Sequence, residues 1–91
     1  MPVAAASMMV KGLVQGVGFR YFVFRRAVDC RISGFVRNLP DGSVEIEAEG
    51  ERGLMEEFIR DVKIGPRSAH ISELSIKWVK SEGKYEKFEI R

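Results

Sequence analysis

Apolar and polar positions alternate from Met8, with Met8, Val10, Gly12 and Val14 on one side and Met9, Lys11 and Leu13 on the other. A period of two predicts a strand. Residues 1–7, MPVAAAS, lack this alternation and are expected to form an N-terminal tail, leaving 8–91 as the domain. At Phe19 the period lengthens. Phe19, Phe22, Val23, Ala27 and Cys30 recur at helical spacing on one face, so a helix is expected to run to about Arg31. Tyr21, Phe24 and Val28 form a second apolar stripe opposite the first. It can pack on a neighbouring helix, meet a partner or lie exposed, and packing on a helix is the expectation.

Gly34 to Asn38 reads as a short strand, and Leu39-Pro40-Asp41-Gly42 as a tight turn. Ser43 to Glu49 then alternates, placing Val44, Ile46 and Ala48 inward and Ser43, Glu45, Glu47 and Glu49 outward in a solvated row. Leu54, Met55, Phe58, Ile59 and Val62 mark a second helix over 51–63, stopped by Gly65-Pro66. A strand over 71–79 and a short one over 85–90 complete the chain. The order is β-α-β-β-α-β plus a short final strand. Right-handed crossovers around one hairpin give an α+β ferredoxin-like split β-α-β sandwich, an antiparallel sheet with two helices on one face.

Ninety-one residues hold one core, and 45% hydrophobic with 31% charged content is that of a folded domain. No stretch approaches the ~20 apolar residues of a membrane span, so no membrane contact is expected. One cysteine, Cys30, and one histidine, His70, leave neither a disulfide framework nor a Cys/His metal cluster. Dependence on packing alone fits a reducing compartment, and the cytoplasm is expected. Charge is unevenly spread: residues 1–40 carry six Lys/Arg and one acid, Asp29, whereas the rest is net acidic. A basic region attracts anions.

The segment Val14-Gln15-Gly16-Val17-Gly18-Phe19-Arg20 joins strand to helix through two glycines. Such a bend can gather backbone N–H groups and a helix N-terminus into an anion-binding concavity. Arg20 sits in the first helical turn, against the helix dipole. An ordinary turn with a surface arginine is the competing reading, and spacing alone favours it. Asn38 ends its strand just before the tight turn. There an asparagine ordinarily bonds the turn backbone, although the topology can bring it towards the 15–20 loop. Cys30, on the buried stripe, is expected to be inert. His70, Trp78 and the glutamate row are read as surface or packing residues.

Taken together these segments resemble the two signatures of the acylphosphatase family. The first, G-x-V-Q-G-V-G-F-R, is present as Gly12 to Arg20. The second is present as Gly34-Phe35-Val36-Arg37-Asn38, followed by Gly42, Val44 and Gly50. Gly65-Pro66, Ala69, Ile71 and the closing Phe88-Glu89-Ile90 are similar to later landmarks, so the resemblance spans Met8 to Arg91. Two positions depart from it. Cys30-Arg31-Ile32 replaces a usual Leu-Gly-Leu, which asks left-handed backbone of Arg31 or a different cap, and Phe35 replaces a usual Trp.

The resemblance implies hydrolysis of acyl phosphates to a carboxylate and inorganic phosphate, with no metal and no cofactor. It implies that Arg20 grips the phosphoryl group with backbone N–H groups of Gln15, Gly16, Val17, Gly18 and Phe19, and that Asn38 orients the attacking water. Inorganic phosphate is then both product and inhibitor. The chemistry of the residues agrees: a carboxylate leaves with a pKa near ~4, so no general acid is required. A free-standing monomer is expected. Two other readings remain: a carbamoyl-phosphate-binding domain of a larger enzyme, and an RNA binder, suggested by the faint aromatic echo in Val17 to Phe22. Nucleic acid is not expected as a partner, because the aromatics follow helical spacing and the wet strand is lined by glutamates.

Overall fold

In the computed structural model, which describes residues 2–91, the first alternating segment forms β1 (Val3–Leu13). It is followed by α1 (Phe19–Asp29), β2 (Ser33–Asn38), β3 (Val44–Glu51), α2 (Arg52–Ile64), β4 (His70–Val79) and β5 (Phe88–Ile90). The strands lie side by side as β4-β1-β3-β2-β5. The pairs β1–β3, β1–β4 and β2–β3 are antiparallel, and β5 joins β2 in parallel. The fold is the expected ferredoxin-like sandwich, but its sheet is mixed rather than antiparallel. Because β4 and β2 occupy opposite sides of the sheet, the chain must cross between them after Val79 and enters β5 in the direction of β2.

That crossing uses the glutamates of β3. Glu49 accepts from Ser81 Oγ at 2.8 Å and from the Gly83 backbone N–H at 3.0 Å, and Glu47 accepts from the Tyr85 hydroxyl. Glu45 pairs with Arg37 across the hairpin. The outward row is therefore a set of anchor points rather than a purely solvated face.

The core lies between the sheet and the helices. Met8, Val10, Ile46 and Val36 from the sheet meet Phe19 and Val23 of α1 and Met55, Phe58 and Val62 of α2. The expected tail is instead strand from Val3 onward, paired residue by residue with β3 as far as Glu51; Met1 lies outside the described residues. Ala5 and Ala6 are both buried there. With both faces of the strand covered, small residues replace the alternation that marks a half-exposed strand.

α1 stops at Asp29, two residues short of the expected end. Ile32 N–H bonds the Ala27 carbonyl at 2.8 Å, Arg31 N–H bonds that of Val28 at 3.1 Å, and Arg31 takes φ 56°. This is the left-handed helix ending that glycine usually supplies, here carried by an arginine. The second α1 stripe does not pack on α2. Phe24 leans on Phe88 of β5 at 6.5 Å between ring centroids, while Tyr21 and Val28 lie exposed. α2 is already seated on the core through its own stripe, so the opposite side of α1 meets β5 and solvent. Among the described residues no helix is long and apolar enough to cross a membrane.

Candidate active site

At the end of the sheet where β1 and β2 finish, the chain turns through Gly16 and Gly18, at φ 75° and 78°. Both values lie in the left-handed region open to glycine. A side-chain carbon added at either residue would meet nothing within 4 Å, so both glycines border open space. Gly18 is also the residue from which α1 starts. No side chain caps that start, and no acid occupies its first turn. The leading N–H groups of α1 thus keep their partial positive charge without an internal acceptor.

A concavity of about 210 Å³ opens at this point. It is lined by Val14, Gly16 and Gly18 of the loop, by Phe19, Arg20 and Tyr21 of α1, by Asn38 of β2 and by Ile90 of β5. The two residues singled out from separate segments, Arg20 and Asn38, therefore border one space. Arg20 Nη1 donates to the main-chain carbonyl of Arg91 at 3.0 Å, which fixes one arm of the guanidinium. Arg91 is held in turn: its N–H bonds the Val36 carbonyl at 2.8 Å and its guanidinium lies 4.4 Å from the Phe35 ring centre.

Asn38 does not close the hairpin turn. That task falls to Asp41, whose carboxylate accepts from Ser43 N–H at 2.9 Å and from the Ser43 hydroxyl at 2.5 Å. These two bonds hold the Asp41 carboxyl below its ordinary pKa. Asn38 Oδ1 is left buried, with no hydrogen-bond partner among the described residues. A buried amide oxygen without a partner costs roughly 1–3 kcal/mol, unless something occupies the site to satisfy it.

Gln15 and Val17 take parts that their spacing did not reveal. The Gln15 side chain turns away from the concavity and donates through Nε2 to the carbonyls of Leu39 and Ser43, at 2.8 and 2.9 Å. It ties the glycine loop to the hairpin that carries Asn38. The Val17 carbonyl accepts from Ser68 Oγ at 2.6 Å, so the connector after α2 pins the loop from the other side. Ser68, Arg91, Tyr21 and Ile90 were not read as site residues. Ser68, Arg91 and Ile90 reach this end of the sheet only through tertiary contact, whereas Tyr21 arrives with Arg20 in the first turn of α1.

Cys30 is buried, and burial pushes its thiol up. His70 opens β4 and is exposed. Trp78, on the edge strand, carries the Arg52 guanidinium 4.1 Å from its ring centre. Among the described residues no three His, Cys, Asp or Glu side chains gather as a metal cage.

The acylphosphatase family model matches residues 6–90 of this chain. The chain belongs to the acylphosphatase family. A relative from Chlorobaculum tepidum, an acylphosphatase, is 45% identical over 83 residues, covering 91% of this chain and 90% of the relative. The crystal structure of acylphosphatase from Bacillus subtilis superposes with a TM-score of 0.93 at 36% identity, covering 97% of this chain and 98% of that one. The chain also resembles a part of full-length HypF, crystallised in a phosphate- and nucleotide-bound form, with a TM-score of 0.87 and 34% identity. There it covers 12% of the larger protein. As an acylphosphatase, this enzyme hydrolyses acyl phosphates, with inorganic phosphate as a product.

Proposed function

We propose that the phosphoryl group of the acyl phosphate is held by Arg20 together with backbone N–H groups of Gln15, Gly16, Val17, Gly18 and Phe19, and that Asn38 orients the attacking water. The observation that carries this reading is the unpartnered, buried Asn38 Oδ1 bordering the same concavity as Arg20 and the uncapped start of α1. The amide oxygen accepts an O–H from water. It thereby turns a lone pair of that water towards phosphorus, opposite the leaving carboxylate. The free arm of the guanidinium and the loop N–H groups gather around the non-bridging oxygens, where charge shifts in the transition state. Gln15 contributes its backbone to the cradle and its side chain as a strut between loop and hairpin.

No proton donor is needed on the leaving side, because the carboxylate departs as a stable anion with an unbound pKa near ~4. Water supplies the proton that leaves at the end. Catalysis then rests on position and electrostatics, and no step calls for a metal or a cofactor. One chain supplies every group in this scheme, so a monomer is its working unit, and the single buried thiol suits the cytoplasm.

Turnover of benzoyl phosphate in the presence of a chelator tests the scheme, with inorganic phosphate expected as a competitive inhibitor. Activity lost on chelation and restored by added metal would contradict it. Non-competitive inhibition by phosphate would place the anion elsewhere.

A further inference from the structure

The bend between β1 and α1 has little backbone bonding of its own. Among the described residues, no main-chain group of 15–17 bonds another main-chain group. A side chain from a distant connector makes the bond instead: Ser68 Oγ donates to the Val17 carbonyl at 2.6 Å. Ser68 stands outside the set of residues that line the concavity.

The sheet brings Ser68 to this place. β1 ends and β4 begins as antiparallel partners, with Leu13 opposite His70. The bend that leaves β1 and the connector that enters β4 therefore start side by side. Gly12 permits the close approach, since a side-chain carbon there would stand 2.1 Å from the His70 carbonyl oxygen. The connector is itself a turn, closed by the Ala69 N–H on the Pro66 carbonyl at 3.1 Å, and Pro66 restricts its entry.

No peptide bond among the described residues is cis. In a trans peptide the C=O and the N–H of one unit point in opposite directions. With the Val17 carbonyl drawn towards Ser68, the Gly18 N–H faces the other way, and Gly18 borders the concavity. This unit is easily turned over. Only ψ of Val17 and φ of Gly18 need change, and a glycine accepts either result. A side-chain carbon at Gly18 would meet nothing within 4 Å, so no neighbour blocks the rotation. Turned over, the unit would present a carbonyl oxygen to an anion.

We propose that Ser68 is a positioning residue that locks the Val17–Gly18 peptide with its N–H towards the bound phosphoryl group. This rests on the placement of phosphate given above. Ser68 touches neither substrate nor water. It acts by holding the binding-competent orientation before the ligand arrives, and affinity falls with the fraction of molecules so arranged.

The test pairs Ser68→Ala, which removes the donor, with Ser68→Thr, which keeps it at an exposed position. Ser68→Ala should raise the inhibition constant of inorganic phosphate about fivefold, the factor carried by one neutral hydrogen bond. It should lower kcat/KM for benzoyl phosphate about tenfold, because the same N–H serves the transition state. Ser68→Thr should restore both. In amide NMR, saturating phosphate should shift the Gly18 N–H in the parent and in Ser68→Thr, and much less in Ser68→Ala. A lowered denaturation midpoint in Ser68→Ala with an unchanged phosphate constant would make Ser68 a surface strut and overturn the lock. Equal impairment of the threonine and alanine variants would overturn it as well. If phosphate shifts the Gly16 N–H of the parent but leaves that of Gly18 unmoved, the lock falls and the phosphate site stands. If phosphate shifts neither, and Arg20→Ala leaves the phosphate constant unchanged, the placement itself falls and the lock with it.

Discussion

The two helices begin in opposite ways. At α2, Glu51 sits just ahead of the first turn and its carboxylate accepts from Gly53 N–H at 2.9 Å. At α1 the equivalent place is taken by Gly18, which has no side chain to accept such a bond; neither helix carries an acid in its first turn, so the cap alone separates them. The hairpin turn resembles α2 in this respect, since Asp41 satisfies its own backbone through Ser43. Each closed end meets its need for an acceptor from within the chain. The open end leaves that need to a ligand. A side-chain cap is worth about 1 kcal/mol to a helix, so an uncapped start forgoes stability that a nearby aspartate or serine would bring. Strain and unmet donors of this kind are tolerated where they serve binding.

The largest effect that would break the contrast belongs to Arg20. Arg20→Ala should lower kcat/KM at least about a thousandfold and abolish competition by phosphate, since one group serves both. Arg20→Lys keeps the charge but loses the forked geometry, and should remain about a hundredfold impaired. Steady-state kinetics with benzoyl phosphate read both, and a lysine variant near parental activity would show the open end to be mere surface.

Next in size is Asn38→Ala. If the amide positions water, kcat should fall roughly a hundredfold or more while the inhibition constant of phosphate moves little, because the loss falls on the transition state. A folded, fully active variant would leave Asn38 without a role.

At the closed end the sign of the contrast reverses. Glu51→Ala should cost about 1 kcal/mol in chemical denaturation and leave turnover as it was. Loss of activity without loss of stability there would erase the distinction between the two helix starts.

The smallest effect concerns the hairpin. The Asp41 carboxyl lies below its ordinary pKa, owing first to the Ser43 hydroxyl and then to the Ser43 backbone. Its contribution is therefore present in full above the unfolded value and lost as pH falls through the folded one. Stability measured down the acid limb should show this loss, and Asp41→Asn should flatten it.

The element order and the core faces of α1, β3 and α2 could be read from the sequence, each a local matter of period or turn chemistry. The left-handed Arg31 was one of two alternatives left by the family resemblance, the other being a different cap, and the structure takes the first. The alanine-rich start of β1 could not be read, because burial on both faces removes the alternation by which a strand is recognised. The parallel seat of β5 was equally hidden. It depends on a crossing held by Glu47 and Glu49 with partners more than thirty residues away in sequence. At the site, the glycine pair and Arg20 stood out because they run against local preference. Gln15 was identified by position, but its side-chain task was not, since the carbonyls it meets belong to Leu39 and Ser43 on another element. Tyr21 lay in a stripe of ordinary helical spacing, and only its neighbours in space set it apart.

The bond from Arg20 to the Arg91 carbonyl spans 71 residues of sequence. Closing so long a loop costs chain entropy before the contact returns any stability. The opposite edge of the sheet carries the same cost, since Ala6 of β1 pairs with Trp78 of β4. Refolding should therefore be slow for a domain of this size, with recovery of turnover and of Trp78 fluorescence following one time course.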